Sequence, residues 1–314
     1  MKIASVAFGM GISVFAAACC AVGANGGSVR FIGQTNIVIW DEKRGMEHFI
    51  RDATFETKGK DLGFLAPTPS QPELSEADAK AFDLLLRLKP EPKSWISCSK
   101  SEEGAPAAGA AAPEVVHEQD VAGYHAAVLK ASDTKGLAEW LKKNGYPAPK
   151  FLEGWAKPYV EKGWYMTAFK VKGGDGAATG PIRMSFQTKQ PFNPYSVPEE
   201  NGGGDARLRL YYISAGNEVP RVGGTEGWRE AEWKADLPEG RYTELADHLK
   251  LPADAIPANA SVSSYDDHNF GEAGKDDLYF VPVDGRPRLA ITGGFVALVA
   301  YVAARRRSRR KAVS

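Results

Sequence analysis

The chain has 314 residues, and 39 Lys and Arg balance 39 Asp and Glu, so the formal net charge is zero. Hydrophobic residues make up 43% of the sequence, which is ordinary for a globular protein and excludes general disorder. Residues 25–288 alone hold 32 basic and 39 acidic residues, and a net charge of −7 excludes long-range attraction to nucleic acid.

The first 24 residues have the composition of a secretory signal peptide. Lys2 is followed by residues 3–18, which are all apolar or small and end in three alanines. A basic start, an apolar middle and a small-residue cleavage site are typical of such peptides. We therefore predict cleavage after Ala18 or after Ala24, and an extracytoplasmic domain over residues 25–288.

Two strands are predicted near the start of this domain. Residues 36–40 are mainly apolar and β-branched, and residues 46–57 alternate between inward-facing and polar side chains. Together they predict a meander of paired strands. Residues 64–74 contain three prolines, which predicts an irregular crossing after these strands.

A helix is predicted after the crossing. Ser75 and Asp78 form a capping pattern in front of it, and Pro90 ends it. The side chains expected to face inward are Phe82, Leu85 and Leu86. Residues 99–113 contain no bulky apolar side chain and cannot offset the entropy lost on ordering, so we predict a flexible surface loop.

The middle of the chain predicts a strand followed by a helix. Residues 123–131 are typical of a strand, Ser132 or Asp133 is the expected N-cap, and Asn144 with Gly145 is the expected stop. One face of the helix would carry Leu137, Trp140 and Leu141. This arrangement predicts a βα unit.

The remaining predicted elements alternate strands with a few helices. A helix is predicted at 151–161, and strands at 164–172, 182–188 and 206–214, with weaker patterns for a helix at 242–249 and strands at 260–265 and 278–283. Runs of strands with interposed helices favour an α+β fold with a mainly antiparallel sheet and a few packed helices.

Near the C-terminus, residues 289–304 form a run of 16 residues without a charge, between Arg288 and Arg305. As a helix this run is roughly 24 Å long, which is shorter than a hydrocarbon core of about 30 Å. Arginine side chains can snorkel and bilayers can thin, so the deficit is tolerable. Because Thr292 and the tip of Tyr301 are its only polar side-chain groups, we predict a transmembrane helix rather than a soluble core helix.

A basic cluster follows this predicted helix. It consists of Arg305, Arg306, Arg307, Arg309, Arg310 and Lys311. By the positive-inside rule these residues orient the span, so residues 305–314 form a cytoplasmic tail and the large domain lies outside the cytoplasm. The same pattern is also typical of C-terminal sorting signals that are removed by processing, and this alternative places the domain in the same compartment.

The chain has three cysteines, which are Cys19, Cys20 and Cys98. Cleavage after Ala18 would keep the first two, and a disulfide between Cys98 and either of them is then favoured in an oxidising compartment. Cleavage after Ala24 would leave Cys98 unpaired.

Aromatic, glycine and apolar positions between Tyr124 and Phe186 allow a comparison with known families. The positions are Tyr124, Val128, Leu129, Leu137, Trp140, Leu141, Asn144, Gly145, Tyr146, Tyr159, Val160, Gly163, Trp164, Ala168, Lys170, Pro181, Ile182, Met184 and Phe186. In order and spacing they resemble a bacterial family catalogued as domain of unknown function 2330, as do the proline-rich residues 61–74 and Cys19-Cys20. The resemblance covers roughly residues 19–214. It implies an exported, envelope-associated protein and no assigned chemistry.

Linear catalytic motifs are incomplete in this sequence. His117-Glu118 begins like a zinc-protease helix, but Val121 stands where the second histidine is needed. Glycine-rich residues 172–180 and 201–207 lack the Gly-Lys-Ser/Thr ending that binds phosphate, and no Gly-x-Ser-x-Gly supports a serine nucleophile. For the adjacent Glu199 and Glu200 we expect surface solvation. The sequence therefore predicts no catalytic, cofactor-binding or metal-binding residues.

Two further patterns are ambiguous. Residues 266–277 are dense in carboxylates, but His268 and Phe270 occupy positions where a calcium loop needs oxygen ligands. We predict a solvated hairpin loop there, and a looser calcium site stays open as an alternative. Trp228 and Trp233 are the tryptophans best suited to exposed contact, although packing in a core or interface is favoured for them.

These patterns lead to one functional hypothesis and one alternative. The favoured hypothesis is a single-pass protein of the bacterial cell membrane whose large domain binds or organises an envelope protein or glycan, without cofactors and without enzymatic activity. The alternative is an envelope hydrolase whose acid–base residues come from separate segments and leave no linear motif.

Overall fold

The computed structural model describes residues 21–23, 29–57, 62–90, 113–145, 148, 151–172, 179–197, 206–270 and 276–283. The described residues up to Val281 form one compact unit, and a second unit begins at Pro282. The predicted signal-peptide residues 1–20, the three cysteines, nearly all of the loop 99–113, the span 289–304 and the basic tail lie outside the described residues. No helix among the described residues is long and apolar enough to cross a membrane.

The described elements are mainly strands, with four α-helices. The strands are β1 (Ala21–Gly23), β2 (Val29–Asp41), β3 (Met46–Thr57), β4 (Leu62–Thr68), β5 (Glu73–Glu76), β6 (Glu114–Val121), β7 (Tyr124–Lys130), β8 (Tyr165–Val171), β9 (Ile182–Gln187), β10 (Phe192–Asn193), β11 (Ala206–Ser214), β12 (Glu218–Val222), β13 (Glu226–Gly227), β14 (Trp233–Asp236), β15 (Ser261–Phe270) and β16 (Leu278–Pro282). The helices are α1 (Lys80–Leu86), α2 (Thr134–Lys143), α3 (Phe151–Glu161) and α4 (Glu239–His248), and Ala253–Ala255 form a 3-10 turn.

These strands form three sheets. The large sheet has seven strands in the order β14-β15-β11-β2-β3-β9-β5, the second has five in the order β1-β4-β8-β7-β6, and the third has four short strands in the order β10-β16-β12-β13. Strands β2 and β11 pair in parallel, and the other pairs of the large sheet and of the five-stranded sheet are antiparallel. The predicted α+β fold with mainly antiparallel sheet is thus confirmed.

The parallel pair brings two backbones close together at Gly33. A Cβ atom at this position would lie 2.7 Å from the carbonyl oxygen of Arg207, which is closer than side chains tolerate. Glycine is therefore required where β11 approaches β2.

The two larger sheets pack face to face between two layers of helices. One apolar cluster joins Val38 and Phe49 of the large sheet to Phe64 and Phe169 of the five-stranded sheet. A second cluster packs α1 and α4 on the other face of the large sheet. A third packs α2 and α3 on the other face of the five-stranded sheet. Both larger sheets are consequently buried on both faces.

The local predictions for the middle of the chain are confirmed. The carboxylate of Asp133 accepts a hydrogen bond from the amide of Gly136 at 2.7 Å, as an N-cap does. The buried face of α2 carries Leu137, Trp140 and Leu141. Helix α3 and strand β11 have the predicted bounds. These features depend on neighbouring residues, so periodicity and capping patterns suffice to find them.

Several predictions around the proline-rich segment are wrong. Strands β2 and β3 pair as predicted, but residues 62–68 of the predicted crossing form a regular strand, β4, which joins the five-stranded sheet. Ser75 lies in β5 rather than at a helix cap. Leu86 is 46% exposed, whereas Leu84 and Leu85 are buried. Leu85 is buried as predicted and Phe82 packs against the same cluster, so Leu86 alone of the three is misplaced.

Strand β6 was not predicted. Its burial pattern shows mostly exposed side chains, because it lies at the edge of the five-stranded sheet and pairs only with β7. Polar side chains at such an edge hide the periodicity of a strand. Strand β1 lies within the predicted signal peptide, so cleavage after Ala18 would retain it and cleavage after Ala24 would remove it.

Candidate functional site

His48 and Ser185 form a pair on the helix-covered face of the large sheet. They stand directly opposite each other on β3 and β9. The imidazole Nδ1 lies 2.8 Å from the Ser185 hydroxyl. Both residues are more than nine-tenths buried. We call this arrangement the Ser–His pair.

Charged groups surround the Ser–His pair. Burial lowers the pKa of His48 to about 4, and the nearby Arg183 and Arg44 guanidinium groups add to this effect, while Asp41 opposes it. The imidazole is therefore neutral at pH 7, and the same burial makes it a weaker base than an exposed histidine. A neutral histidine hydrogen-bonded to a serine hydroxyl is the arrangement that activates a serine nucleophile.

Arg183 has a structural role beside the pair. Its side chain donates hydrogen bonds to the carbonyl oxygens of Leu249, at 3.2 Å, and of Lys250. These carbonyls follow the last turn of α4, where helices leave acceptors unsatisfied. The guanidinium also contacts Glu73 at 2.5 Å. Through these contacts Arg183 holds the C-terminal end of α4 on the large sheet.

A second polar cluster lies on the opposite face of the large sheet and is centred on Tyr195. The Tyr195 hydroxyl donates to Asp267 at 2.8 Å, and the amides of Tyr195 and Ser196 donate to Asp277 at 2.8 and 3.0 Å. Arg229 pairs with the other oxygen of Asp267 at 2.5 Å. We call these residues the Tyr195 cluster.

Burial shifts two pKa values in this cluster. It raises the pKa of Asp277 in spite of the two backbone amides, and it raises the pKa of Tyr195. The aromatic rings of Trp228 and Phe270 pack around Tyr195 with centroid distances of 5.6 and 5.5 Å. The carboxylates therefore serve to hold the segment around Tyr195 against the sheet.

The prediction of a solvated hairpin loop at residues 266–277 is wrong at both ends. Strand β15 continues to Phe270, and Asp267 and Asp277 are each only 1% exposed. Hydrogen bonds from distant segments offset the cost of burying these carboxylates. Residues 271–275 lie outside the described part of the chain.

The two candidate contact tryptophans do not share a surface. Trp233 is buried and packs against Tyr211 on the helix-covered face of the large sheet. Trp228 is partly buried on the opposite face, against Tyr195 and Tyr265. Packing in the core therefore describes both better than a joint exposed patch.

The remaining sequence patterns are dispersed. His117 and Glu118 lie on β6, so the segment that begins like a zinc-protease motif is a strand. No group of three or more His, Cys, Asp or Glu that could hold a metal ion occurs among the described residues. The residues of the predicted disulfide and of the membrane-orienting cluster, together with Glu199 and Glu200, lie outside the described ranges.

Sequence reasoning missed the Ser–His pair because 137 residues separate its members. Strand alternation places His48 and Ser185 each on a defined side of its own strand. Only the pairing of β3 with β9 brings the two strands together. The only local signal for this pair was a His and a Ser at strand positions where apolar residues are expected.

Comparison with known proteins gives one family and one structural likeness. The family described as "Uncharacterized protein conserved in bacteria (DUF2330)" matches residues 13–227. No curated protein matches the chain. The crystal structure of baculovirus P35 is similar over 81% of this chain and 97% of that chain, with 9% identity and a TM-score of 0.39. That TM-score is too low for any argument about this protein.

Replacing His48 is expected to change the pH dependence of stability. Above pH 6.5 the imidazole is neutral in both the folded and the unfolded chain. Between pH 6.5 and 4 the unfolded chain binds a proton that the folded chain excludes, so acidification destabilises the fold. Over this range the unchanged protein should lose about 3 kcal/mol more free energy of unfolding than His48→Asn.

The measurement is urea denaturation at several pH values. His268→Asn is the matched control, because it makes the same change at a histidine whose side chain is 66% exposed. If the free energy of unfolding falls equally with acidification in His48→Asn and in the unchanged protein, His48 is not the group that causes the pH dependence.

Proposed function

Because this chain belongs to the DUF2330 family of uncharacterized bacterial proteins, we propose that it is an exported protein of the cell envelope that binds another envelope component. Its membrane tether is the apolar run 289–304, and the basic residues from Arg305 to Lys311 hold the tail in the cytoplasm. The signal-peptide composition of residues 1–24 supports export by the same route.

The single observation that favours binding over catalysis is the internal engagement of the acid–base groups. Asp267 and Asp277 are bound by Tyr195, Arg229 and backbone amides. Glu47 is fully buried and accepts a hydrogen bond from the amide of Phe192 at 2.9 Å. Groups held in this way stabilise a rigid scaffold on which a partner can bind.

A second candidate function is supported by the Ser–His pair. In a serine hydrolase the Ser185 oxygen would attack a carbonyl carbon while His48 takes the hydroxyl proton. The proton would pass to the leaving alcohol or amine, and water would then cleave the acyl ester. The short contact favours this chemistry, whereas the burial of both residues weakens His48 as a base and restricts access to Ser185.

The tether is tested by truncation and cell fractionation. Removing residues 289–314 should move the domain from the membrane fraction to the soluble fraction outside the cytoplasm. Removing only residues 305–314 is the control, since the apolar run remains and the protein should still sediment with membranes. Recovery of the full-length chain in the soluble cytosol with its first 24 residues intact would contradict the proposal.

Binding is tested by chemical crosslinking of the full-length chain in intact cells, followed by purification and mass spectrometry. We expect a recurrent adduct with one envelope component, which is sensitive to protease if it is a protein and to glycosidase if it is a glycan. A chain that crosslinks only at random, in proportion to the abundance of its neighbours, would count against a binding function.

The hydrolase alternative is tested with a fluorophosphonate probe. If Ser185 is an active nucleophile, its oxygen should displace fluoride and form a stable phosphonate ester. Ser185→Ala should abolish labelling, and His48→Asn should slow it by about 10²-fold or more. Ser263→Ala, which changes another buried serine, is the control. An unlabelled folded protein would exclude this alternative.

A further inference from the structure

Four buried side chains on the facing sides of the two larger sheets each have an oxygen without a hydrogen-bond partner among the described residues. They are Asn36 (Oδ1), Glu47 (Oε1), Thr68 (Oγ1) and Thr167 (Oγ1). Each of these residues is at most 1% exposed. Buried polar atoms lose their hydration on folding, and native proteins almost always supply a new partner. We therefore expect these oxygens to have hydrogen-bond partners inside the protein.

Thr68 and Thr167 are neighbours on one face of the five-stranded sheet. Thr68 stands opposite Tyr165 on β8, and Thr167 follows two residues later on the same strand. Side chains two residues apart on a strand, and those directly opposite across a pair, point to the same side of a sheet. Both hydroxyls consequently face the large sheet.

Glu47, which belongs to the large sheet, lies near Thr68 and Thr167, as two contacts indicate. The ring of Phe192, whose amide binds Glu47, lies 5.0 Å from the ring of Trp164. Trp164 directly precedes Tyr165, the partner of Thr68. The free oxygen of Glu47 therefore belongs to the same part of the interface as the two threonines.

The register of β3 over β4 supports the same placement. The Arg51 guanidinium carbon lies 4.4 Å from the centre of the Phe64 ring. Glu47 lies four residues before Arg51, and Thr68 lies four residues after Phe64. Ser70, two residues beyond Thr68, donates a hydrogen bond to the carbonyl of Gln187 at 2.9 Å, and Gln187 directly follows Phe186, the strand partner of Glu47.

The chemistry of the three groups defines what can bind them. Burial holds the pKa of Glu47 well above its usual value, which favours the neutral carboxyl group over the carboxylate. The threonine hydroxyls can donate or accept. A site of two hydroxyls and a carboxyl group whose charged form is disfavoured suits a neutral ligand that can both donate and accept hydrogen bonds.

We propose that water is bound between the two sheets and is hydrogen-bonded to Glu47, Thr68 and Thr167. Buried water of this kind typically makes about three hydrogen bonds to groups that the chain leaves unsatisfied. The site joins one sheet to the other through polar contacts inside an otherwise apolar layer. This inference is independent of the binding function proposed above.

A crystal structure of the exported chain at high resolution tests the proposal directly. We expect ordered water density within about 3.2 Å of Thr167 Oγ1 and of Glu47 or Thr68. Density for a protein group at these oxygens, or an interface without any density there, would overturn the proposal.

Denaturation of variants provides a test with a different readout. If water is bound, Thr167→Val leaves it short of a partner and lowers the urea midpoint. If the site is dry, the same change removes an unsatisfied hydroxyl and raises the midpoint, which would contradict the proposal. Thr167→Ser keeps the hydroxyl and should lower the midpoint less than Thr167→Val does.

Val171→Thr is the matched control for this series. Val171 is buried on the same face of β8, four residues beyond Thr167 and so about 13 Å from it. A hydroxyl added there is out of reach of the proposed water and enters an apolar cluster, so the urea midpoint should fall. Thr68→Val repeats the test at the second hydroxyl if Thr167→Val does not fold, and a higher midpoint for it would also contradict bound water.

Discussion

Burial of the large sheet on both faces is the constraint on which the rest of this structure depends. Helices cover one face and the five-stranded sheet covers the other, so a polar side chain on a central strand must find its partner inside the protein. The partners come from distant parts of the chain, as in the Asn36–Asn193 hydrogen bond at 2.7 Å and the Tyr195–Asp267 bond. These hydrogen bonds thereby fix the positions of the strands and of the segment that carries Tyr195.

The same constraint shapes what the domain can do. Carboxylates that serve as internal hydrogen-bond acceptors are unavailable as acids or bases for a substrate. The Ser–His pair differs, because its two members keep a direct contact of the kind used in nucleophilic chemistry, although burial lowers the basicity of His48. Binding on a rigid scaffold is the function that we propose.

Sequence and structure disagree most where polarity was taken as a sign of solvation. Asp267 and Asp277 stand in a stretch rich in turn-forming residues, yet both are almost fully buried. Strand β6 and Leu86 of α1 were misjudged for a related reason, since burial at an edge or under a neighbouring helix depends on what lies above the residue. The composition of a segment does not show which distant segment will cover it.

The sequence by itself determined the family, the α+β class and the bounds of α3 and β11, because helix caps, turn residues and periodicity act between residues close along the chain. Neither the Ser–His pair nor the Tyr195 cluster could be assembled from the sequence, although Asp267 and Asp277 lie in the carboxylate-rich stretch 266–277. Only the tertiary structure decided that β9 lies beside β3 and that Asp267 meets Tyr195. Strand register and sheet packing are set by contacts between segments far apart in the chain, and local patterns do not specify which segments will meet.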